Sequence, residues 1–279
     1  MPGTAIEVVR EPAGRGRYRH VLFDFDGTLS LIREGWPNVM IGMMVEFLSE
    51  TGTAESPDEL TALVRDYVAR LTGKQTIYQM IRLADEVRAR GGSPREPLEY
   101  KRIYLDRLMQ VIHGRREALR SGTASPRDWL VPCALELLEG LRARGLTLYL
   151  ASGTDEPYVR EEAELLGLTP YFGRHVYGAL DDYRGTSKAM VIHRLLRENA
   201  VHGSLLLGFG DAYVEIDNVK AVGGGAVGVA TDEAGRSGRC DDWKRDRLLA
   251  VGADLIIADF REHDALLGYL LSASTGARR

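Results

Sequence analysis

The ordered pattern of the chain starts with a short apolar run, Val21–Phe23, that meets acidic residues and a glycine. A run of this kind, followed by turn residues, predicts a buried strand. Beyond it, apolar positions recur with a helical period, which predicts amphipathic helices. The second of them has a clear start signal, because Ser56 suits an N-cap and Pro57 the first helical position. Four such stripes begin at Met40, Leu60, Ile77 and Tyr100 and end before the loop 121–126.

From about Trp129 onward, short apolar runs alternate with helical segments. The predicted strands cover 146–151, 175–177, 204–209, 226–230 and 255–258, and helices between them include 188–199 and 213–222. Near-continuous apolar strands that alternate with helices indicate a parallel sheet covered on both faces. Because the first strand would join this sheet, we predict an α/β fold. Its Rossmann-like core comprises residues 1–33 and 128–279, and residues 34–127 form a helical insertion.

Composition narrows the class of protein without identifying its chemistry. The 279 residues are 44% apolar and carry a net charge of −4, so neither nucleic acid nor an anionic membrane is expected as a partner. Cys133 and Cys240 are too few for a disulfide scaffold. We find no apolar run long enough to span a membrane and no signal peptide, so a soluble, cytoplasmic protein is expected. The arginine-rich residues 1–19 and the tail 274–279 are expected to be solvated, mobile ends.

Polar residues follow the predicted strands where ligands of such sheets collect, beyond the carboxyl ends. Asp24 and Asp26 follow the first strand, Ser152 the second, and Asp211 a later one, while Lys188 starts a helix between them. Carboxylates that converge in this way repel one another, and hard oxygen ligands without nearby His or thiolate suit Mg²⁺. A lysine and a serine on a glycine-containing loop could hold the oxygens of a phosphoryl group.

Two aspartates in the pattern Asp-x-Asp offer two chemical roles. One carboxylate can act as a nucleophile bound to the metal, and the other can protonate the leaving oxygen. The residues therefore predict Mg²⁺-assisted phosphoryl transfer through an aspartyl-phosphate.

The same residues resemble the motifs of the haloacid dehalogenase superfamily, most of whose members are phosphatases. Asp24-Phe-Asp-Gly-Thr28 resembles the first motif and Leu148-Tyr-Leu-Ala-Ser-Gly-Thr154 the second. Lys188 looks like the third and Gly210-Asp-Ala-Tyr-Val-Glu215 the fourth. The order and approximate separations match across residues 20–260. Four motifs in register are much more specific than one Asp-x-Asp-Gly-Thr sequence alone.

The resemblance implies a role for each matching residue. Asp24 would attack phosphorus and ligate Mg²⁺. Asp26 would act as general acid and then as general base, with its backbone carbonyl on the metal. Ser152 and Lys188 would hold the phosphoryl oxygens, and Asp211 would be the remaining protein ligand of the metal. Asp26 argues against a dehalogenase, because the dehalogenases of the superfamily lack this second aspartate.

Three further positions take subsidiary roles in the resemblance. Thr28 and the amides near Gly153 would help to bind the phosphoryl group. Glu215 stands where the fourth motif more often has Asp, so it is expected to anchor Lys188 or metal-bound water, and direct ligation stays open.

A helical insertion after the first motif resembles the cap of the branch that includes phosphoglycolate phosphatases and β-phosphoglucomutases. A cap of this kind closes over the leaving group, which implies a small-molecule phosphate ester as substrate. Candidate substrate-binding residues come from the linker and from a polar break between two cap helices: Arg33, Glu34, Trp36, Lys74 and Gln75. Hinge packing is an equal alternative for the linker residues, and an exposed loop tip for the other two.

Polar groups that can interact with hydroxyls favour a sugar or polyol phosphate over phosphoglycolate. A phosphosugar mutase of the same fold and a phosphoglycolate-type phosphatase remain alternatives. A non-catalytic binding or regulatory protein is a third, although every motif residue is present. The sequence leaves the substrate and the oligomeric state open.

Overall fold

A computed structural model describes residues 1–180 and 187–272 of the chain. Within these residues one seven-stranded sheet has the spatial order β1-β7-β6-β5-β2-β3-β4. All of its neighbouring strands are parallel except β1, which runs antiparallel to β7. The strands are β1 (Glu7–Val8), β2 (His20–Phe23), β3 (Thr147–Asp155), β4 (Val176–Ala179), β5 (Leu206–Gly210), β6 (Gly225–Val229) and β7 (Leu255–Ile257).

Helices cover both faces of the sheet and fill the segment between β2 and β3. The first four helices after β2 lie within residues 36–120: α1 (Trp36–Ser49), α2 (Pro57–Leu71), α3 (Ile77–Ala89) and α4 (Pro97–Arg120). Around the sheet are α5 (Ala134–Ala143), α6 (Glu156–Leu165), α7 (Thr169–Phe172), α8 (Lys188–Glu198), α9 (Tyr213–Ala221), α10 (Asp242–Ala250) and α11 (His263–Leu271). Short 3-10 helices cover Pro126–Trp129 and Gly203–Leu205. The α/β fold class predicted from the sequence is confirmed.

The central strand β2 illustrates why the strands read as continuous apolar runs. Successive side chains of a strand point to opposite faces of the sheet. Val21 and Phe23 belong to the larger apolar cluster, which continues into the helices between β2 and β3. Leu22 belongs to a second cluster on the other face, under α8 and α9. A strand covered on both sides has no solvent face and therefore shows no alternation.

The four helices after β2 follow the predicted stripes. The helix α2 begins as expected, because Ser56 accepts a hydrogen bond from the Glu59 amide and the Glu59 carboxylate accepts one from the Ser56 amide. This capping box satisfies amides that the first turn leaves without partners. No helix among the described residues is both long and apolar enough to cross a membrane.

The prediction of a solvated, mobile N-terminal end was wrong. Residues 7 and 8 form an edge strand on β7, and Ile6 and Tyr18 are buried in the core. The Tyr18 hydroxyl donates a hydrogen bond to the Ala13 carbonyl at 2.7 Å. The many arginines of this segment predicted that it would be exposed to solvent. Its few apolar residues instead pack into the core and fix its position. The expected mobile tail, 274–279, lies outside the described residues.

The strand β3 extends further than its apolar run. The sequence predicted a strand over 146–151, whereas β3 continues to Asp155, with an irregular register against β4 after Ala151. Ser152 and Gly153 therefore lie on the strand itself rather than on a loop beyond it. The irregular end carries polar side chains at the edge of the sheet where β2 also ends.

Candidate active site

A small cavity of about 80 Å³ lies beyond the carboxyl ends of β2, β3 and β5, covered by the helices between β2 and β3. Because these strands are parallel neighbours, the residues that follow them meet at one edge of the sheet. The core contributes Asp24, Asp26, Ser152, Gly153, Thr154, Lys188, Asp211 and Ala212 to its lining. The linker and helical segment contribute Arg33, Trp36, Met40, Thr72, Gly73, Lys74, Thr76, Gln79 and Tyr104.

Asp24 is buried directly after β2 and contacts a lysine. Its amide donates to the Phe209 carbonyl at 3.0 Å, which continues the ladder between β2 and β5. Its Oδ1 accepts a hydrogen bond from Lys188 Nζ at 2.7 Å. The pKa of Asp24 is raised to about 7, because burial and the charges of Asp211 and Asp26 together outweigh the lowering by Lys188. The carboxylate form of Asp24 therefore needs a cation beside it.

Lys188 is the first residue of α8, and its ammonium group lies between two carboxylates. Ser187 caps this helix by accepting a hydrogen bond from the Met190 amide. Besides Asp24, Lys188 contacts the carboxylate of Glu215, which comes from α9 and is 2% exposed. Glu215 thus lies where it can hold Lys188, as the sequence suggested. The preceding Gly185 and Thr186 lie outside the described residues.

Asp26 has one carboxylate oxygen held and the other without a hydrogen bond. Oδ2 accepts a hydrogen bond from the Thr154 hydroxyl at 2.8 Å and a longer one from Ser152 at 3.4 Å. The Ser152 hydroxyl also accepts one from the Thr154 amide. Within the described part of the chain, the buried Oδ1 has no hydrogen-bond partner. Ser152 therefore contacts the predicted acid, and Thr154, which the sequence analysis missed, holds it more closely.

Thr28 lies beneath the site and does not line the cavity. Its side chain is fully buried, and its hydroxyl accepts a hydrogen bond from the Asp211 amide at 3.0 Å. It was predicted to bind substrate, but this contact places it as a support for Asp211. Gly27 is similarly close to Asp211: it has φ +73°, and a side chain there would meet the Asp211 carboxylate. Position 27, in the turn after β2, therefore favours glycine.

A second lysine, partly buried and not singled out by the sequence analysis, contacts Asp211. Lys244 Nζ, on α10, lies 2.8 Å from Asp211 Oδ2 and 2.6 Å from Glu233 Oε1. The two carboxylates raise the pKa of Lys244 although burial opposes them, so it stays charged. Because this residue comes from a helix far along the chain, only the packing of α10 could have shown that it reaches the site.

Arg33 lines the cavity, but a carboxylate that the sequence analysis missed already holds its guanidinium group. Its Nε and Nη2 donate to the two Glu162 oxygens at 2.9 and 2.8 Å. Arg33 is 4% exposed and Glu162 0%, so the pair is fully inside the protein. Arg33 Nε also lies 3.8 Å from Asp26 Oδ1. The pair positions a cation near the predicted acid and leaves little of its charge for a substrate.

Some of the other predicted substrate-binding residues line the cavity and others do not. Trp36 lines the cavity, whereas Glu34 does not, because its carboxylate turns toward Arg115 at 3.3 Å. The loop between α2 and α3 reaches the sheet edge: a side chain on Gly153 would lie 2.9 Å from the Lys74 carbonyl oxygen. Gln75 is buried and lines an adjoining cavity.

The donor set fits a hard divalent cation such as Mg²⁺. Asp24 and Asp211 line the same cavity, and each offers carboxylate oxygens, which suit Mg²⁺. Within 1–180 and 187–272, no three His, Cys, Asp or Glu side chains form a ready metal cluster. Mg²⁺ does not need such a cluster, because it usually takes one or two carboxylates and completes its shell with water and phosphate oxygens.

Comparison with known proteins gives a family and a set of similar folds. The family model of the haloacid dehalogenase-like hydrolases matches residues 18–223 of this chain. No curated protein matches the chain. A predicted phosphoglycolate phosphatase from Haemophilus somnus has a similar fold, with 17% identity, a TM-score of 0.57, and coverage of 90% of this chain and 98% of that one.

Two further solved structures have comparable similarity. The β-phosphoglucomutase of Clostridium difficile is 14% identical, with a TM-score of 0.57 and coverage of 88% and 92% of the two chains. CbbY from Rhodobacter sphaeroides, solved with xylulose bisphosphate, is 18% identical, with a TM-score of 0.56 and coverage of 88% and 96%. At these identities the likeness is one of fold.

Proposed function

This chain belongs to the haloacid dehalogenase-like hydrolases, and from its site we propose that it is a Mg²⁺-dependent phosphatase of a small phosphate ester. The observation that carries the proposal is the state of the two aspartates after β2. Asp24 lies beside a lysine, and Asp26 has one oxygen fixed by hydroxyls and the other, among the described residues, without a hydrogen bond. That arrangement suits one residue as nucleophile and the other as acid and base.

The first half of the reaction transfers the phosphoryl group to the protein. A carboxylate oxygen of Asp24 attacks phosphorus, and the bond between phosphorus and the ester oxygen breaks. The leaving oxygen takes a proton from Asp26, so an alcohol departs and Asp24 carries an acyl phosphate. Lys188, held by Glu215, offsets negative charge on the transferred oxygens. A bound Mg²⁺, held by Asp24 and Asp211, would supply further positive charge at the phosphoryl group.

The second half returns Asp24 to its starting state. Asp26, now a carboxylate, takes a proton from water, whose oxygen attacks phosphorus. The bond between Asp24 and phosphorus breaks, and inorganic phosphate leaves. Thr154 and Ser152 keep Asp26 in place through both steps, because their hydroxyls hold the same oxygen, Oδ2.

We further propose that residues 34–127 act as a cap and that the substrate is a sugar or polyol phosphate. The cavity between this segment and the sheet holds only about 80 Å³. A folded macromolecule could not enter it, and even a small ester needs a short leaving group or some opening of the cap. The similarity of the fold to a phosphatase and a mutase of small phosphate esters agrees with this size.

Phosphate release from a panel of small phosphomonoesters tests the function. We expect turnover with Mg²⁺, loss of turnover when the metal is chelated, and none in Asp24→Asn. Asp217→Asn is the matched control, because this aspartate is exposed on α9. No phosphate release from any ester by folded protein would refute the phosphatase. Interconversion of sugar phosphates without phosphate release would identify a phosphomutase instead.

A further inference from the structure

Gln79 is a polar exception on the buried side of α3. The other residues that this helix buries are apolar, apart from Glu86: Ile77, Met80, Leu83, Ala84 and Val87. Gln79 is 3% exposed and lines the same cavity as Asp24 and Asp26. A buried amide at a position that apolar side chains could fill calls for a partner.

The fold does not supply that partner. Among the described residues, the buried Oε1 of Gln79 accepts no hydrogen bond. Glu86, the other buried polar residue of α3, contacts both Arg82 and Arg90. A buried acceptor without a hydrogen bond is unfavourable, because it has given up its hydrogen bonds to water. Glu86 has its partners within the protein and Gln79 Oε1 does not, which indicates that Gln79 binds a group that enters the cavity.

Two other polar side chains of the cavity lining already have partners within the protein. Thr72 also lines the cavity, but its hydroxyl donates to the Val68 carbonyl at 3.0 Å. The guanidinium group of Arg33 is bound to Glu162 through two hydrogen bonds. An incoming group therefore finds an amide oxygen that lacks a donor.

We propose that Gln79 recognises a hydroxyl on the leaving group, and that the substrate is the phosphate ester of a short polyol. This inference rests on the proposed phosphatase function. A hydroxyl both donates and accepts, so it can pair with either end of the carboxamide. A carboxylate could accept from the carboxamide NH2 group but has no hydrogen to donate, so it would leave Oε1 unsatisfied and is disfavoured. The small volume of the cavity favours a short polyol over a longer one.

Two esters of similar size, glycerol phosphate and propyl phosphate, test the proposal because only the first has free hydroxyls. We expect wild-type protein to favour glycerol phosphate by about tenfold or more in kcat/KM, as a buried hydrogen bond predicts. In Gln79→Leu this preference should fall to about one while the protein remains at least as stable to urea, because an unsatisfied buried amide is removed. Gln110→Leu, at an exposed position of α4, should leave both properties unchanged.

A binding measurement separates this proposal from the proposed function. Calorimetry on Asp24→Asn, with and without Gln79→Leu, compares the affinities for the two esters without turnover. A preference for glycerol phosphate that vanishes with Gln79→Leu supports the inference, even if the wild-type protein hydrolyses neither ester and the phosphatase proposal fails. Equal affinities, or a preference that survives Gln79→Leu, would overturn it. A preference for phosphoglycolate over glycerol phosphate would overturn it as well.

Discussion

Replacing Glu162 by Gln removes the only carboxylate that hydrogen-bonds Arg33 within the described residues. Both side chains are buried, and two charge-assisted hydrogen bonds join them. Removing one partner of a buried ion pair costs roughly 3–5 kcal/mol, because the other charge is left uncompensated. Gln can still accept one hydrogen bond from Arg33, so we expect the lower end, about 3 kcal/mol of unfolding free energy.

Urea unfolding measures this loss, and the next residue along the chain provides the control. Glu161 also contacts arginines, Arg116 and Arg120, but its side chain is 39% exposed. Glu161→Gln should therefore cost less than about 1 kcal/mol. Glu162→Gln should also lower kcat, because the freed Arg33 lies only 3.8 Å from Asp26 Oδ1 and can pair with it.

A double variant tests the reasoning behind the number. Burial raises the pKa of Glu162 and Arg33 lowers it, so desolvation opposes the attraction within the pair. Arg33→Met with Glu162→Leu removes both charges, and we expect its stability to lie within about 2 kcal/mol of wild type. The account would be refuted if Glu162→Gln cost no more than Glu161→Gln, or if the double variant were less stable than Glu162→Gln.

Two further predictions concern the turn after β2 and the N-terminal strand. Gly27→Ala should cost more than the about 1–2 kcal/mol of left-handed backbone strain, and lower kcat, because its side chain would displace Asp211. Gly35→Ala, with φ +88° and open space around it, is the control that carries the backbone strain alone in the same urea and kinetic assays. The hydrogen bond from Arg245 lowers the pKa of Glu7 below 4.5. The pair therefore stabilises the fold above pH 4.5, and this stabilisation is lost as the pH falls through the lowered pKa. Glu7→Gln should therefore lower the urea midpoint slightly at neutral pH and not in strong acid, and an equal loss at both would contradict this.

The sequence predicted the features that local patterns determine. The helical period located α1 to α4, and Ser56 and Pro57 marked the start of α2. The motif residues Asp24, Ser152, Lys188 and Asp211 line one cavity because parallel strands end at a common edge. Neither result needed knowledge of tertiary contacts.

Residues whose role depends on helix packing were missed. Glu162 lies in an acidic run of α6 that looks solvated, and only the packing of this helix buries it against Arg33. Lys244 and Gln79 likewise reach the site from helices whose orientation the sequence does not give. The N-terminal strand was missed because two residues are too few to show a period.

The central claim is that Asp24 carries the phosphoryl group, and mass spectrometry tests it most directly. Asp26→Asn lacks the base for the second step, so acetyl phosphate and Mg²⁺ should leave a phosphoryl group on this variant. Acetyl phosphate is used because its leaving group needs little help from an acid. We predict that the added mass maps to the peptide containing Asp24 and is absent when Asp24→Asn is added. A phosphoryl group on a different residue, or no labelling of a folded Asp26→Asn protein, would contradict the account.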